Sequence, residues 1–293
     1  MKGKEKKKIS WWQWEKDETT NRTEKKQITG TVKKLIDYFV SVYKSFLIHS
    51  FINRQQRENF AEDLKYVNLH DDECLVQCDF AENWTNESQD EVSNAHWNQK
   101  QISLFTISLR YGCKQYSKVA VSDNLDHSKD TIFAYLYKTM SMVPKYINRI
   151  RLWTDGPSNQ FKNKYMAATI KAFETKFHKK IIWNYHATAH GKSCVDGIGA
   201  VVKNKIKRLV NSRKSVVNCS RDFIDSFNQE PSNIELIEMS FADINKINKT
   251  MKLDTVTETA KTIKDISKFH QLQCVDNKIK GFVLSKDGYA SLQ

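Results

Sequence analysis

Three aspartates stand in segments unlike their surroundings: Asp79 in CLVQCDFAEN, Asp155 in RLWTDGPSNQFKN and Asp196 in HGKSCVDGIGAVVKNKIKRLV. Asp79 and Asp155 each close an apolar run, and Asp196 stands between a glycine-bearing stretch and a basic amphipathic one. Those are places where a side chain can leave a rigid packed element and meet a ligand. Carboxylates are hard oxygen donors, and a few of them suit Mg²⁺ or Mn²⁺, ions that keep several waters. Two such ions roughly 4 Å apart can activate a water or hydroxyl and stabilise the leaving oxygen in phosphodiester transfer. Asp79, Asp155 and Asp196 are therefore expected to be both metal ligands and catalytic groups, with two bound ions, provided the chain brings them together.

Each acid also has a plainer use. Asp155 in TDGPS suits a turn, and Asp196 suits a helix N-cap. Asp79 is less ordinary, because a carboxylate near the end of an apolar strand needs a partner. Around the acids lie candidate helpers. His190, Lys192, Lys162, Lys203 and Lys207 are expected to meet phosphates, with His190 and Lys192 equally suited to a surface loop. Glu82 and Asn83 are expected to support the acids or to lie in a loop. Gln160 and Asn163 orient a substrate or cap a helix.

The elements that must position these groups are legible in the patterning. Cys74 to Phe80 is a short apolar run suited to a buried strand. Gln101–Tyr111 and Tyr116–Ser122 form a hairpin across Gly112–Lys114. Arg149–Thr154 and Lys180–His186 are further strands, with helices between them, Pro144 ending the first. Thr85–Lys100 is read as a loop over the site. After Asp196, Ile198, Val201, Val202, Ile206 and Leu209 predict the core face of a helix. Seven and eleven residues are nearly whole turns, so Lys203 and Lys207 share a face with Asp196. Gly197 and Gly199 leave room for close backbone approach.

The order strand, strand, strand, helix, strand, helix, strand, helix predicts an α/β domain with a mixed five-stranded sheet flanked by helices over residues 71–212. Residues 1–28 read as a basic flexible arm, with Lys4–Lys8 suited to nuclear import or to a frayed terminus. Residues 29–70 read as two N-terminal helices forming a bracket, capped at Thr31. Residues 213–293 read as a helical extension with a possible terminal strand: helices over Ile234–Ile247 and Ala260–Phe269, a strand at Lys278–Leu284, and a polar connection at Arg213–Ser232.

The chain of 293 residues carries a net charge of +13 and 40% hydrophobic residues. That excludes global disorder and favours phosphate backbones or anionic surfaces as partners. Six scattered cysteines without a CxxC pair argue against a zinc ribbon and for a reducing compartment. The N-terminus lacks the apolar core of a secretory signal. The most apolar stretch, Val32–Ile52, is interrupted by Lys44 and His49, so no membrane span and a soluble intracellular protein are expected.

The joint order of the acids, with DFAEN, TDGPSNQFKN and HGKSCVDGIGA, resembles the ribonuclease-H-like catalytic domain of DDE/D transposases and retroviral-type integrases from animal mobile elements. The resemblance covers about Cys74 to Val210. In that family the first acid lies on the first strand, the second after the fourth strand and the third on or near a later helix, the places Asp79, Asp155 and Asp196 occupy. The resemblance implies Mg²⁺- or Mn²⁺-dependent cleavage and joining of DNA strands in the nucleus. A homo-oligomer on DNA ends and no small-molecule cofactor are expected with it. Two departures stand out: the third acid is Asp rather than the commoner Glu, and no zinc-finger module precedes the domain. A transposase-derived nucleic-acid-binding protein without activity, or a ribonuclease-H-like nuclease, are the alternatives.

Overall fold

A computed structural model describes residues 5–85, 100–157, 160–188 and 194–285. The chain divides into two compact units, Met1–Ile52 and Asn53–Gln293.

In the first unit, the segment expected to be a loose arm is an antiparallel hairpin of β1 (Lys8–Lys16) and β2 (Thr23–Thr31). Ile9, Trp11, Gln13 and Glu15 alternate to one half-buried face while Trp12 and Trp14 point outward. This is the period-two pattern of a strand, which the dense charge obscured. The turn is held by Asp17, which accepts from the backbone N–H groups of Thr19 and Thr20 at 3.0 and 3.1 Å. Gly30 is required, since a Cβ there would meet the Trp11 ring at 2.9 Å. Thr31 then caps α1 (Val32–Val67), its hydroxyl accepting from Lys34 N at 3.2 Å. The bracket expected as two helices is this one continuous helix of 36 residues, for nothing between Phe51 and Gln55 breaks a helix. Within the first unit Phe39, Val40, Phe46 and Leu47 of this helix are 47–64% exposed. The helix contains a window of mean hydropathy 1.2, long and apolar enough by length and composition to cross a membrane. That corrects the expectation that no segment qualifies.

The second unit is mixed α/β. Its strands are β3 (Glu73–Thr85), β4 (Gln101–Tyr111), β5 (Lys114–Ser122), β6 (Arg149–Thr154), β7 (Lys180–Tyr185), β8 (Ile234–Glu238), β9 (Gln271–Val275) and β10 (Lys278–Phe282). They form one mixed sheet in the order β10-β9-β7-β6-β3-β4-β5-β8. The five expected strands are its middle, and the sheet has eight because the C-terminal region adds three. Ile234–Glu238, expected to begin a helix, instead pairs in parallel with β5 at one edge. Ala260–Phe269, also expected to be helical, holds only a 3-10 turn at Ile266–Lys268, after which β9 pairs antiparallel with β7. The β4–β5 and β9–β10 turns place two residues each in left-handed conformation, Gly112 with Cys113 and Asp276 with Asn277. Such turns match the twist of paired strands.

Helices cover both faces: α2 (Lys129–Ser141), α3 (Lys164–Phe177), α4 (Cys194–Asn211), α5 (Ser220–Asn228, within the expected polar connection), α6 (Phe241–Met251) and α7 (Leu253–Glu258). Alternation along β3 and β4 splits the core. Cys74, Val76, Cys78, Phe105, Ile107 and Leu109 pack with α2 and α3. Ile102 and Leu104 pack with Ile198, Val202, Ile206 and Phe223 of α4 and α5 on the opposite face.

The second half of α1 is bound by polar groups. Gln56, Asn59, Asp63 and Val67 are its buried residues, spaced three or four apart on one face. Asp63 accepts from Arg151 Nη1 at 2.7 Å and from Trp153 Nε1 at 2.9 Å. Arg151 also donates to Glu73 at 2.6 Å.

Candidate carboxylate site

Strands β3 and β6 are adjacent and parallel, and their register runs from Glu73 opposite Arg149 to Gln77 opposite Trp153. Two residues further along each strand bring the chain to Asp79 and Asp155 at the same depth of the sheet edge. Asp79 keeps its backbone fixed through its carbonyl, which accepts from Thr106 Oγ1 at 2.9 Å. Its carboxylate accepts from Phe80 N at 2.8 Å.

The third acid comes from α4, where Asp196 lies in the first turn. A carboxylate there is favoured by the helix dipole. The helix reaches the sheet through Gly199, where a Cβ would sit 3.1 Å from Ala81 Cβ and 3.4 Å from Thr106 Cγ2. Its start is tied to β3 by Cys194, whose thiol donates to Gln77 Oε1 at 3.1 Å. The buried face is Val195, Ile198, Gly199, Val202, Ile206 and Leu209. Val201, expected in that face, is 54% exposed. With Gly199 against the sheet, a residue two positions on turns about 200° away.

The acids sense one another. Burial first, and then the charges of Asp155 and Asp196, push the Asp79 carboxyl up to about 7. Asp155 is raised by burial and by the Asp196 charge. Like charges held together in poor solvent disfavour ionisation, and carboxyls shifted in this way gather at functional sites. One oxygen of Asp155, Oδ1, is buried without a hydrogen-bond partner. The donor set thus fits a hard divalent ion in chemical type and charge, and the unpaired oxygen is what such an ion would satisfy. Among the described residues, however, no three His, Cys, Asp or Glu groups are already disposed around one ion. The two observations differ in range: charges act over longer distances than ligand bonds, so the acids are electrostatic neighbours without a ligand geometry among the described residues.

The helpers divide. His190 and Lys192 lie outside the described residues. Lys203 reaches Glu82, 3.3 Å from its carbonyl oxygen and 3.6 Å from its carboxylate. Lys207 is exposed on the same helix face. Asn83 follows Glu82 in a β-bulge between Ala81 and Trp84, and its amide donates to Gln101 Oε1 at 3.3 Å. Asn163 is the N-cap of α3, accepting from Tyr165 and Met166 N–H at 3.1 and 3.0 Å. Gln160 offers its carbonyl to Asn163 Nδ2 at 3.0 Å. Lys162 departs from the expected phosphate contact. It is buried, donates to the Ser267 carbonyl at 2.9 Å, and has its pKa pushed down to about 8 by that burial. It is not presented as a phosphate contact.

Two groups escaped the sequence reading. Gln77 Nε2 lies 3.1 Å from His186 Nε2. An amide N–H₂ can only donate, so His186 Nε2 accepts and the ring is neutral. Burial pushes the His186 pKa down to about 4, against the opposing charge of Asp196. The ring packs against Phe60 and Trp153. Gln77 thus links His186 to Cys194 and the start of α4. An isolated His at a strand end gives no motif, and Gln77 is two residues before Asp79 on the same strand face, the one signal that was available.

No curated protein matches this chain. A family model described as Domain of unknown function (DUF8701) matches residues 56–282, the span that holds the entire eight-stranded sheet and all three acids, and the chain belongs to that family.

Proposed function

We propose that the chain is a transposase-like, divalent-metal-dependent enzyme that cuts and transfers DNA strands, built on a ribonuclease-H-like sheet. The observation that carries this reading is the electrostatic proximity of Asp79, Asp155 and Asp196, separated by 76 and 41 residues in sequence yet near enough for each charge to act on another. The middle of the sheet supports it: an antiparallel meander of β3, β4 and β5, with β6 and β7 added in parallel on the other side of β3. Asp79 and Asp155 would hold Mg²⁺ or Mn²⁺ between them, and Asp196 would close the set. Bound there, the ions would activate a water or a DNA hydroxyl and stabilise the leaving oxygen. The protein's own part is positional. Thr106 and Gly199 fix the depth of Asp79 and Asp196, the neutral His186 adds no cation to compete, and Lys203 and Lys207 extend a basic face along α4. A net charge of +13 suits a DNA partner and nuclear residence, and assembly on paired DNA ends belongs to the same proposal.

The test is Mg²⁺- or Mn²⁺-dependent cleavage and strand transfer on labelled duplex ends. Asp79→Asn, Asp155→Asn and Asp196→Asn should each abolish product while DNA binding persists. Equal behaviour of wild type and all three variants refutes the enzyme and leaves the nucleic-acid-binding alternative. Cleavage of RNA–DNA hybrids in place of DNA ends favours the nuclease.

A further inference from the structure

We propose that the cleft between the β3 bulge and α4 binds the base of an unpaired nucleotide on the strand whose phosphate lies at the acids; this rests on the nucleic-acid reading above. The cleft has a volume of about 280 Å³ and is walled by Asn83, Trp84, Lys203, Asn204, Lys207 and Val210, with others at its rim. That is at the small end for ligand pockets, room for one base and too small for a duplex. The bulge makes it. One extra residue in β3 between Ala81 and Trp84 bends the strand and turns Asn83 out of the ladder, as bulges beside functional sites do.

The polar groups define the ligand. Gln101 Nε2 donates to Thr85 Oγ1 at 3.4 Å, which sets its oxygen toward Asn83 Nδ2. Asn83 Oδ1 then faces away from Gln101, buried and without a donor. An acceptor in that position asks for an N–H, which the exocyclic amines of cytosine, adenine and guanine supply. Trp84, 7% exposed, gives the site a rigid wall. Lys203 is held at the mouth by Glu82, whose side chain is 91% exposed, an exchangeable contact that a phosphate would replace. Along α4, Lys203 and Lys207 stand about 10 and 16 Å from Asp196 on one face. At the roughly 3.4 Å rise per nucleotide of a duplex strand, that is about three to five steps from the acids, and fewer where the strand is unpaired and extended.

The test is fluorescence anisotropy with Ca²⁺ in place of Mg²⁺, using a blunt duplex, the same duplex with a deoxycytidine tail, and one with an abasic tail. Wild type should prefer the deoxycytidine tail to the abasic one by about five- to tenfold. Asn83→Ala should erase that preference and leave blunt-duplex affinity and melting temperature unchanged, while Asn83→Asp, which keeps an acceptor, should retain it. A wild type that does not distinguish the tails, or an Asn83→Ala that still does, overturns the cleft and leaves the Asp79→Asn cleavage comparison standing. A wild type that binds none of the three probes overturns both readings.

Discussion

Asp79→Asn should stabilise the folded protein above neutral pH while removing the cleavage proposed for it. The Asp79 carboxyl is displaced from 3.8 to about 7. For an acid raised in the folded state, the unfolded chain ionises first. The native state therefore carries no penalty below about pH 4, loses stability as pH rises toward 7, and holds the full penalty above it. The displacement corresponds to a ceiling of about 4 kcal/mol, and partial access of water to the site brings the expectation to about 2–4 kcal/mol. An asparagine keeps the acceptor for Phe80 N and removes the charge that faces Asp155. In a unit of this size each kcal/mol moves the melting temperature by about 2–4 °C, so the variant should melt roughly 4–16 °C above wild type at pH 8. The two should converge near pH 4–5. Thermal unfolding followed by circular dichroism in a chelating buffer measures this. Added Mg²⁺ should then raise the wild-type melting temperature more than that of the variant, because only the wild type gains a full set of ligands. Parallel pH profiles for the two proteins would refute the claim that burial and neighbouring acids strain this carboxyl.

Three further outcomes follow from named contacts. Asp63→Ala strands the buried Arg151 and Trp153 N–H groups and should cost about 3–5 kcal/mol in urea unfolding at pH 7. Gly199→Val forces a branched side chain against Ala81 and Thr106, so it should cost about 1–3 kcal/mol and lower cleavage beyond that loss by lifting Asp196 from its neighbours. In salt titrations of DNA binding, Lys207→Ala should reduce the slope by about one, whereas Lys162→Met should leave slope and affinity unchanged, since Lys162 already donates to Ser267.

The sequence disclosed those elements whose burial follows one period. The central strands and α2 and α3 were legible from their apolar spacing, and the three acids stood out because two close such a run and the third opens a basic amphipathic one. What it concealed obeys other physics. The hairpin of Lys8–Thr31 alternates, but the segment is so dense in charge that it resembles a tail. The inner face of α1 is polar, Gln56, Asn59 and Asp63, and reads as a solvent face until Arg151, Trp153 and Tyr185 are placed opposite. IELIE became a strand because an edge of β5 was open to it, a fact about a partner far away in the chain. Lys162, expected to meet phosphates, instead donates to the carbonyl of Ser267, a partner 105 residues away in the chain.

The sequence by itself determined which residues can do chemistry here, since acidity, donor type and charge belong to side chains wherever they sit. Only the tertiary structure decided that Asp79 and Asp155 share a depth and that α4 descends at Gly199 to bring Asp196 beside them. The reason is that strand register and helix approach are set by contacts between segments, and no local pattern encodes them.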